Sequence, residues 1–194
     1  MTIEIKPGGA RERLLSTAVR LFGAEGIRGT GIDRLLEEAG VAKMSLYKHF
    51  GSKDALVLAA LARRGEMFRG VFNAVMTSKH EPRARILGIF DSLDRWAMRP
   101  DFRGCPFINA AGEFGEASSP VRLAASEHKE WVRSRFEDLA RDAGAADAPA
   151  LARELAILFE GATVRAAVAS DRDAAGTARR MAEKLIDESA SGRD

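Results

Sequence analysis

An all-α protein is predicted from three observations. Ala, Leu, Arg and Glu, all strong helix formers, dominate the chain; runs of β-branched residues are missing; and apolar residues recur three and four positions apart. The chain has 194 residues, of which 46% are hydrophobic and 30% charged, which suits a folded protein with one large core or two small ones. Nine helices are expected in two domains, residues 9–56 and residues 57–189.

The first helix is predicted from Arg11 to Ala24, where Leu14, Leu15, Ala18, Val19, Leu21 and Phe22 follow helical spacing and Gly26 supplies the stop. Thr30-Gly31-Ile32-Asp33 has the form of a capping box, with Thr30 as N-cap and Asp33 at N3. The short helix that follows carries Ile32, Leu35, Leu36 and Ala39 on one side and closes at Gly40. Val41 and Ala42 form a tight turn, and Lys43 to Phe50 is a second short helix ended by Gly51. Ser52 caps a long helix from Lys53 to about Met76.

Pro82 suits the first turn of the fifth helix, which carries Ile86, Leu87, Ile89, Phe90, Leu93 and Trp96 and breaks at Arg99-Pro100-Asp101. A short helix covers Cys105 to Gly115. Ser119-Pro120 opens one to about Ala143, Asp147-Ala148-Pro149 opens one to about Ser170, and Asp173 opens the last, to about Ser189, with a frayed tail beyond.

Several function classes find no support. A single cysteine, Cys105, excludes an internal disulfide and fits a reducing cytoplasm. His49, His80 and His128 are far apart and give no metal-ligand spacing. Phosphate-loop, zinc-protease and serine-hydrolase motifs are absent, so no enzyme, cofactor or metal is expected. The polar start MTIEIKPGGARER lacks the apolar region of a signal peptide, and no run approaches the ~18 apolar residues of a membrane span.

The informative stretch is VAKMSLYKHFGSKDAL, Val41 to Leu56. Net charge is +2 over the whole chain, but residues 1–53 hold nine Lys/Arg and six Asp/Glu, and no acid falls between Glu38 and Asp54. Two short helices joined by a Gly-containing turn are a helix-turn-helix pattern, whose second helix enters the DNA major groove. The residue chemistry fits that role. Lys43 can donate to guanine edges, Met44 suits a thymine methyl, and Ser45 bonds a base or phosphate. Tyr47, Lys48 and His49 reach phosphates, and Lys53 stands beside the free amides of the next helix. Leu46 and Phe50, four residues apart, anchor the helix inward. A solvated basic helix face is the plainer alternative.

The segment from Arg11 to about Leu61 resembles the N-terminal domain of the TetR family of bacterial transcriptional regulators. Leu21-Phe22 followed by Gly26, then Thr30, Ala39-Gly40-Val41, Leu46-Tyr47, His49-Phe50 and Ser52-Lys53 before Leu56 carry the resemblance. It implies a helix-turn-helix DNA-binding domain with its reading motif at 31–50, and DNA contacts at Thr30, Gly31, Lys43, Met44, Ser45, Tyr47, Lys48, His49 and Lys53. Leu36 stands where a small residue is common, and Gly31 where Ser or Thr is common. The function it implies is a ligand-responsive, DNA-binding regulator, most simply a repressor that a small molecule releases from an approximately palindromic operator. An activator of the same fold is the alternative, and a small-molecule-binding helical protein with a reactive Cys105 is a further one.

The resemblance also implies that the C-terminal domain binds a small molecule and dimerises. Aromatic residues and methionines concentrate in mid-chain, and Phe68, Phe72, Trp96, Cys105, Phe107, Asn109 and Trp131 are the expected lining of a largely apolar ligand site. For any one aromatic, plain core packing is the commoner role. Cys105, near a helix start, suits a thiolate sensor or a small buried residue. Glu113 and Glu116 suit a cationic ligand or an exposed surface. Leu155, Phe159, Ala162 and Ala166, with Met181 and Leu185 opposite, are expected to form a homodimer interface of four helices.

Overall fold

The computed structural model describes residues 8–191. Nine α-helices and no strand are present among the described residues: α1 Ala10–Glu25, α2 Ile32–Ala39, α3 Lys43–Phe50, α4 Lys53–Ser78, α5 Pro82–Ala97, α6 Pro106–Glu113, α7 Pro120–Asp142, α8 Ala148–Val168 and α9 Ala174–Ser191. The all-α expectation holds, and most predicted boundaries fall within two residues of the observed ones.

Two compact units divide the chain. The first runs to Met67 and takes in Pro106–Ser126; the second comprises Phe68–Cys105 and the chain from Glu127 onward. In the first unit, Leu14, Leu15, Ala18 and Leu21 of α1 meet Leu35, Leu36 and Ala39 of α2, Leu46 of α3, and Leu56 and Ala60 of α4 in one apolar core. The bulky Leu36 is accommodated within it.

Gly40 lets α2 end abruptly. At φ 64°, ψ 46° it takes the left-handed conformation, its N–H bonds to Glu37 O, and the next N–H, Val41, bonds to Leu36 O. This pair of bonds satisfies carbonyls that a helix end otherwise leaves open. Arg13 of α1 adds a clamp: its guanidinium donates to Ala39 O (3.1 Å), Gly40 O (3.4 Å) and Gly8 O (2.8 Å). A cation at the carbonyl end of α2 is favourably placed against the helix dipole.

The second unit is built round Phe90, Phe136, Ile86, Leu93, Leu155, Ala152, Ala182 and Ile186. Helices α5, α8 and α9 pack on one another there. A Cβ at Gly88 would lie 2.9 Å from Val75 Cγ1, so the glycine is what permits α5 to approach α4 so closely. Asp147 caps α8 through a 2.9 Å bond from Ala150 N–H, as its sequence predicts.

The expected capping box at Thr30 is corrected. Gly31, in extended conformation, occupies the N-cap position of α2 and offers no side chain. Thr30 is fully buried, and its hydroxyl turns back to donate to Gly26 O at 2.7 Å. A hydroxyl bonded to a preceding carbonyl is a local competitor to capping, and here it wins.

Candidate functional site

The exposed face of α3 is the candidate nucleic-acid interface. Leu46 is wholly buried and Phe50 packs half-buried on the same core, with the Arg11 guanidinium 5.2 Å from its ring centroid. With these two sides inward, Lys43, Met44, Tyr47, Lys48 and His49 all point to solvent. Met44 is 76% exposed and Tyr47 44%, costly positions for large apolar groups unless something covers them. Ser45 is half-buried, and Gly31 is exposed with open space around its Cα. On α2, Glu38 pairs with Arg20 and Arg34, which holds its carboxyl below the usual range.

Two expected DNA contacts have hydrogen-bond partners inside the first unit. Thr30 is buried, so its side chain is out of reach of a phosphate. Lys53 is half-buried, and its ammonium donates to Ile27 O at 2.6 Å.

The expected ligand residues are divided between the two units. Phe68 stands edge-on to Trp131 (6.0 Å between centroids) and to Phe159 (6.0 Å), and Phe72 stands edge-on to Trp131 at 5.5 Å. Such tilted and edge-on pairs are the favoured aromatic contacts. Trp96 packs separately, edge-on to Phe102 at 4.9 Å. Cys105 is buried at the end of one stretch of the second unit, whereas Phe107, also buried, and Asn109, exposed, belong to α6 in the first unit. Glu113, offered as a ligand for a cation, instead accepts backbone N–H groups from Ile27 and Arg28.

His128 was missed. It is buried between Phe68 (5.3 Å, edge-on) and Trp131 (6.2 Å, stacked), and burial, with Lys129 and Arg69 nearby, lowers its pKa to about 4. The imidazole is thus neutral at pH 7. Its spacing from Trp131, three residues along α7, was the available sequence signal.

The interface residues also divide. Leu155, Phe159 and Ala162 are buried in their own chain's core, with Phe159 against Phe68, Phe90 and Phe136. They cannot meet a partner, and that expectation is corrected. Ala166 and Leu185 are half-buried, and Met181 is exposed. The outward apolar stripe of α8 is instead Ile157, Val164 and Val168, with Ile157 70% and Val168 81% exposed and Gly161 between them.

No group of three or more His, Cys, Asp or Glu that could hold a metal occurs among the described residues, and no helix there is long and apolar enough to cross a membrane.

A three-helix head with a basic, acid-free exposed helix on a short turn defines a helix-turn-helix DNA-binding protein. Residues 14–60 match the model of the bacterial regulatory proteins of the tetR family, and residues 82–182 match the tetracyclin repressor-like C-terminal domain. The chain belongs to the TetR family. It is 34% identical over 146 residues to the HTH-type transcriptional regulator LmrA of Bacillus subtilis, covering 74% of this chain and 77% of LmrA. It is 30% identical over 116 residues to the HTH-type transcriptional repressor NemR of Escherichia coli, covering 59% of this chain and 58% of NemR. Among solved structures it is similar to a TetR-family transcriptional regulator from Streptomyces coelicolor, with a TM-score of 0.89 and 33% identity over 94% of this chain and 96% of that one. The protein is accordingly a ligand-responsive, DNA-binding transcriptional regulator of a non-enzymatic family whose members bind operators and small-molecule effectors, typically as dimers.

Proposed function

We propose that the protein is a cytoplasmic repressor that binds an approximately palindromic operator as a homodimer and leaves it when a small, largely apolar effector binds. The observation that carries the reading is the exposed face of α3, where Lys43, Met44, Tyr47, Lys48 and His49 stand together with no acid among them. Lys43 and Met44, at the helix start, are the base-reading pair; Ser45, Tyr47, Lys48, His49 and the Gly31 backbone N–H hold phosphates. The division of labour follows the chain, with residues 9–56 reading DNA and 57–189 binding effector and partner. The name of the E. coli relative supports repression over activation.

The effector region is assigned to the cluster of Phe68, Phe72, His128 and Trp131, where large apolar rings enclose one neutral imidazole. Adaptable apolar walls with few polar groups are what such sites need. The dimer face is assigned to Ile157, Gly161, Val164 and Val168 of α8 with Met181 of α9. The spacings along α8 are four, three and four, the rhythm of a helix seam against a partner helix. A two-fold pair then presents two α3 helices to successive major grooves.

The test starts from duplexes selected out of a random library by the purified protein, followed by titration at several salt concentrations. A selected duplex with two related half-sites and two protomers per site is expected. Lys48→Ala weakens binding to every duplex and flattens the salt dependence by about 0.9 in logarithmic slope for each phosphate no longer neutralised, while Lys43→Ala relaxes the preference at particular bases. Equal, weak binding to all duplexes would refute the reading.

A further inference from the structure

The turn between α1 and α2 is held from outside itself. Glu113, the last residue of α6, extends its carboxylate to it: Oε1 accepts the Ile27 N–H at 2.8 Å and Oε2 accepts the Arg28 N–H at 2.6 Å. The carbonyl of the same residue, Ile27, accepts the Lys53 ammonium from the start of α4 at 2.6 Å. Thr30 Oγ1 completes the set on Gly26 O. Ile27 itself is buried. One residue of the turn is thus gripped at both its N–H and its C=O, by side chains 86 and 26 positions away.

The geometry is that of an anion receptor. Gly26, at φ 81°, bends the chain so that the following N–H groups converge, and consecutive N–H groups after such a bend favour a negative ion. Charge-assisted bonds of this length are about twice as strong as neutral ones. The fit is close, since a Cβ at Gly26 would lie 3.2 Å from Glu113 Oε1. The acid also stands against local preference. It is at the carboxyl end of α6, where a negative charge is unfavourable and where the last turn has no basic residue. A carboxylate kept in that position needs compensation from elsewhere, and the Ile27 and Arg28 N–H groups supply it.

We propose that Glu113 is a positioning residue for DNA reading: α6 sets the orientation of α2 and α3 through this carboxylate, with Lys53 as the counter-hold. This rests on the assignment of α3 as the reading helix. It accounts for two residues that resemble DNA contacts in sequence, Thr30 and Lys53, being occupied inside the head. With the carboxylate gone, the turn samples more orientations, and the population competent to read DNA falls.

Glu113→Gln and Glu113→Ala separate this role from general support. Gln keeps the shape and one acceptor oxygen but sets an NH2 donor against an N–H donor, whereas Ala removes both acceptors. Amide hydrogen exchange and affinity for the duplex selected by the wild type are measured on both. Exchange at Ile27 and Arg28 is expected to quicken tenfold or more, while the Leu14–Leu21 amides hold. The Kd for the selected duplex should rise about tenfold for Ala and less for Gln, with the melting temperature nearly unchanged. Unchanged exchange at the two amides, or faster exchange with Kd within twofold of wild type, would overturn the proposal. A wild type that selects no duplex at all refutes the regulator reading instead, and the exchange measurement still decides for or against the hold of Glu113 on the turn.

Discussion

Replacing His128 with Phe should remove a defined part of the acid sensitivity of the fold. The imidazole is only 8% exposed and its pKa lies at about 4, against 6.5 for a free one, chiefly because burial disfavours the cation and secondarily because Lys129 and Arg69 repel it. The folded state therefore stays unprotonated at this site between pH 6.5 and 4, while the unfolded chain takes up a proton. The sign follows: this site's contribution is at its full value above pH 6.5, declines as pH falls, and levels off below about 4. The difference between 6.5 and about 4, at about 1.4 kcal/mol for each pH unit, gives a total of about 3 kcal/mol. Between pH 7 and pH 5 the decline from this group alone is about 2 kcal/mol.

Phe retains an aromatic ring against Phe68 and Trp131 and does not titrate. Urea unfolding of wild type and variant at pH 7, 6 and 5 measures the effect. Carboxylates held low by arginines, such as Glu12 beside Arg63 and Asp187 beside Arg83, also cease to stabilise the fold in acid, but they do so equally in both proteins and cancel. The wild type should lose about 2 kcal/mol more than the variant between pH 7 and pH 5. Whatever the variant's stability at pH 7, parallel pH dependences would refute the reasoning, because they would mean that His128 is protonated in the fold.

Two further outcomes are expected. Leu46→Ala, which empties a fully buried position in the head, should cost about 3 kcal/mol in urea unfolding and weaken DNA binding through a loosened α3. Ile157→Asp together with Val164→Asp should give a folded monomer by light scattering, with unchanged helical circular dichroism, because both side chains lie on the outside of the chain's own core.

Helix ends were readable because their signals are local. Gly26, Gly40, Gly51, Pro82 and Asp147 act within a turn of their own position, and the structure uses each as a stop or start. The exposed cationic face of α3 was readable for the same reason: its cationic and apolar residues lie within eight positions. The partners of Thr30 and Lys53 were not legible because a polar side chain on a surface segment has many candidate partners, and theirs are backbone carbonyls that only the folded turn presents. The face of α8 was misjudged for another reason. Apolar residues lie all round that helix, so periodicity alone cannot say whether Leu155 and Phe159 or Ile157 and Val164 point inward. Glu113 was undervalued because its partners are 85 and 86 residues away.

Arg13 has a consequence for attempts to move DNA specificity between proteins. Its planar fork bonds the carbonyls of Ala39 and Gly40, so the angle at which α2 hands over to α3 is set by a side chain in α1. Grafting Lys43 and Met44, the proposed base-reading pair, onto another scaffold would transplant the letters but not the hand that holds them to the page. A chimera that is to keep this protein's operator must inherit Arg13 and the Gly40 bend as well, and lysine at position 13 is no substitute, since a single ammonium lacks the fork that spans both carbonyls.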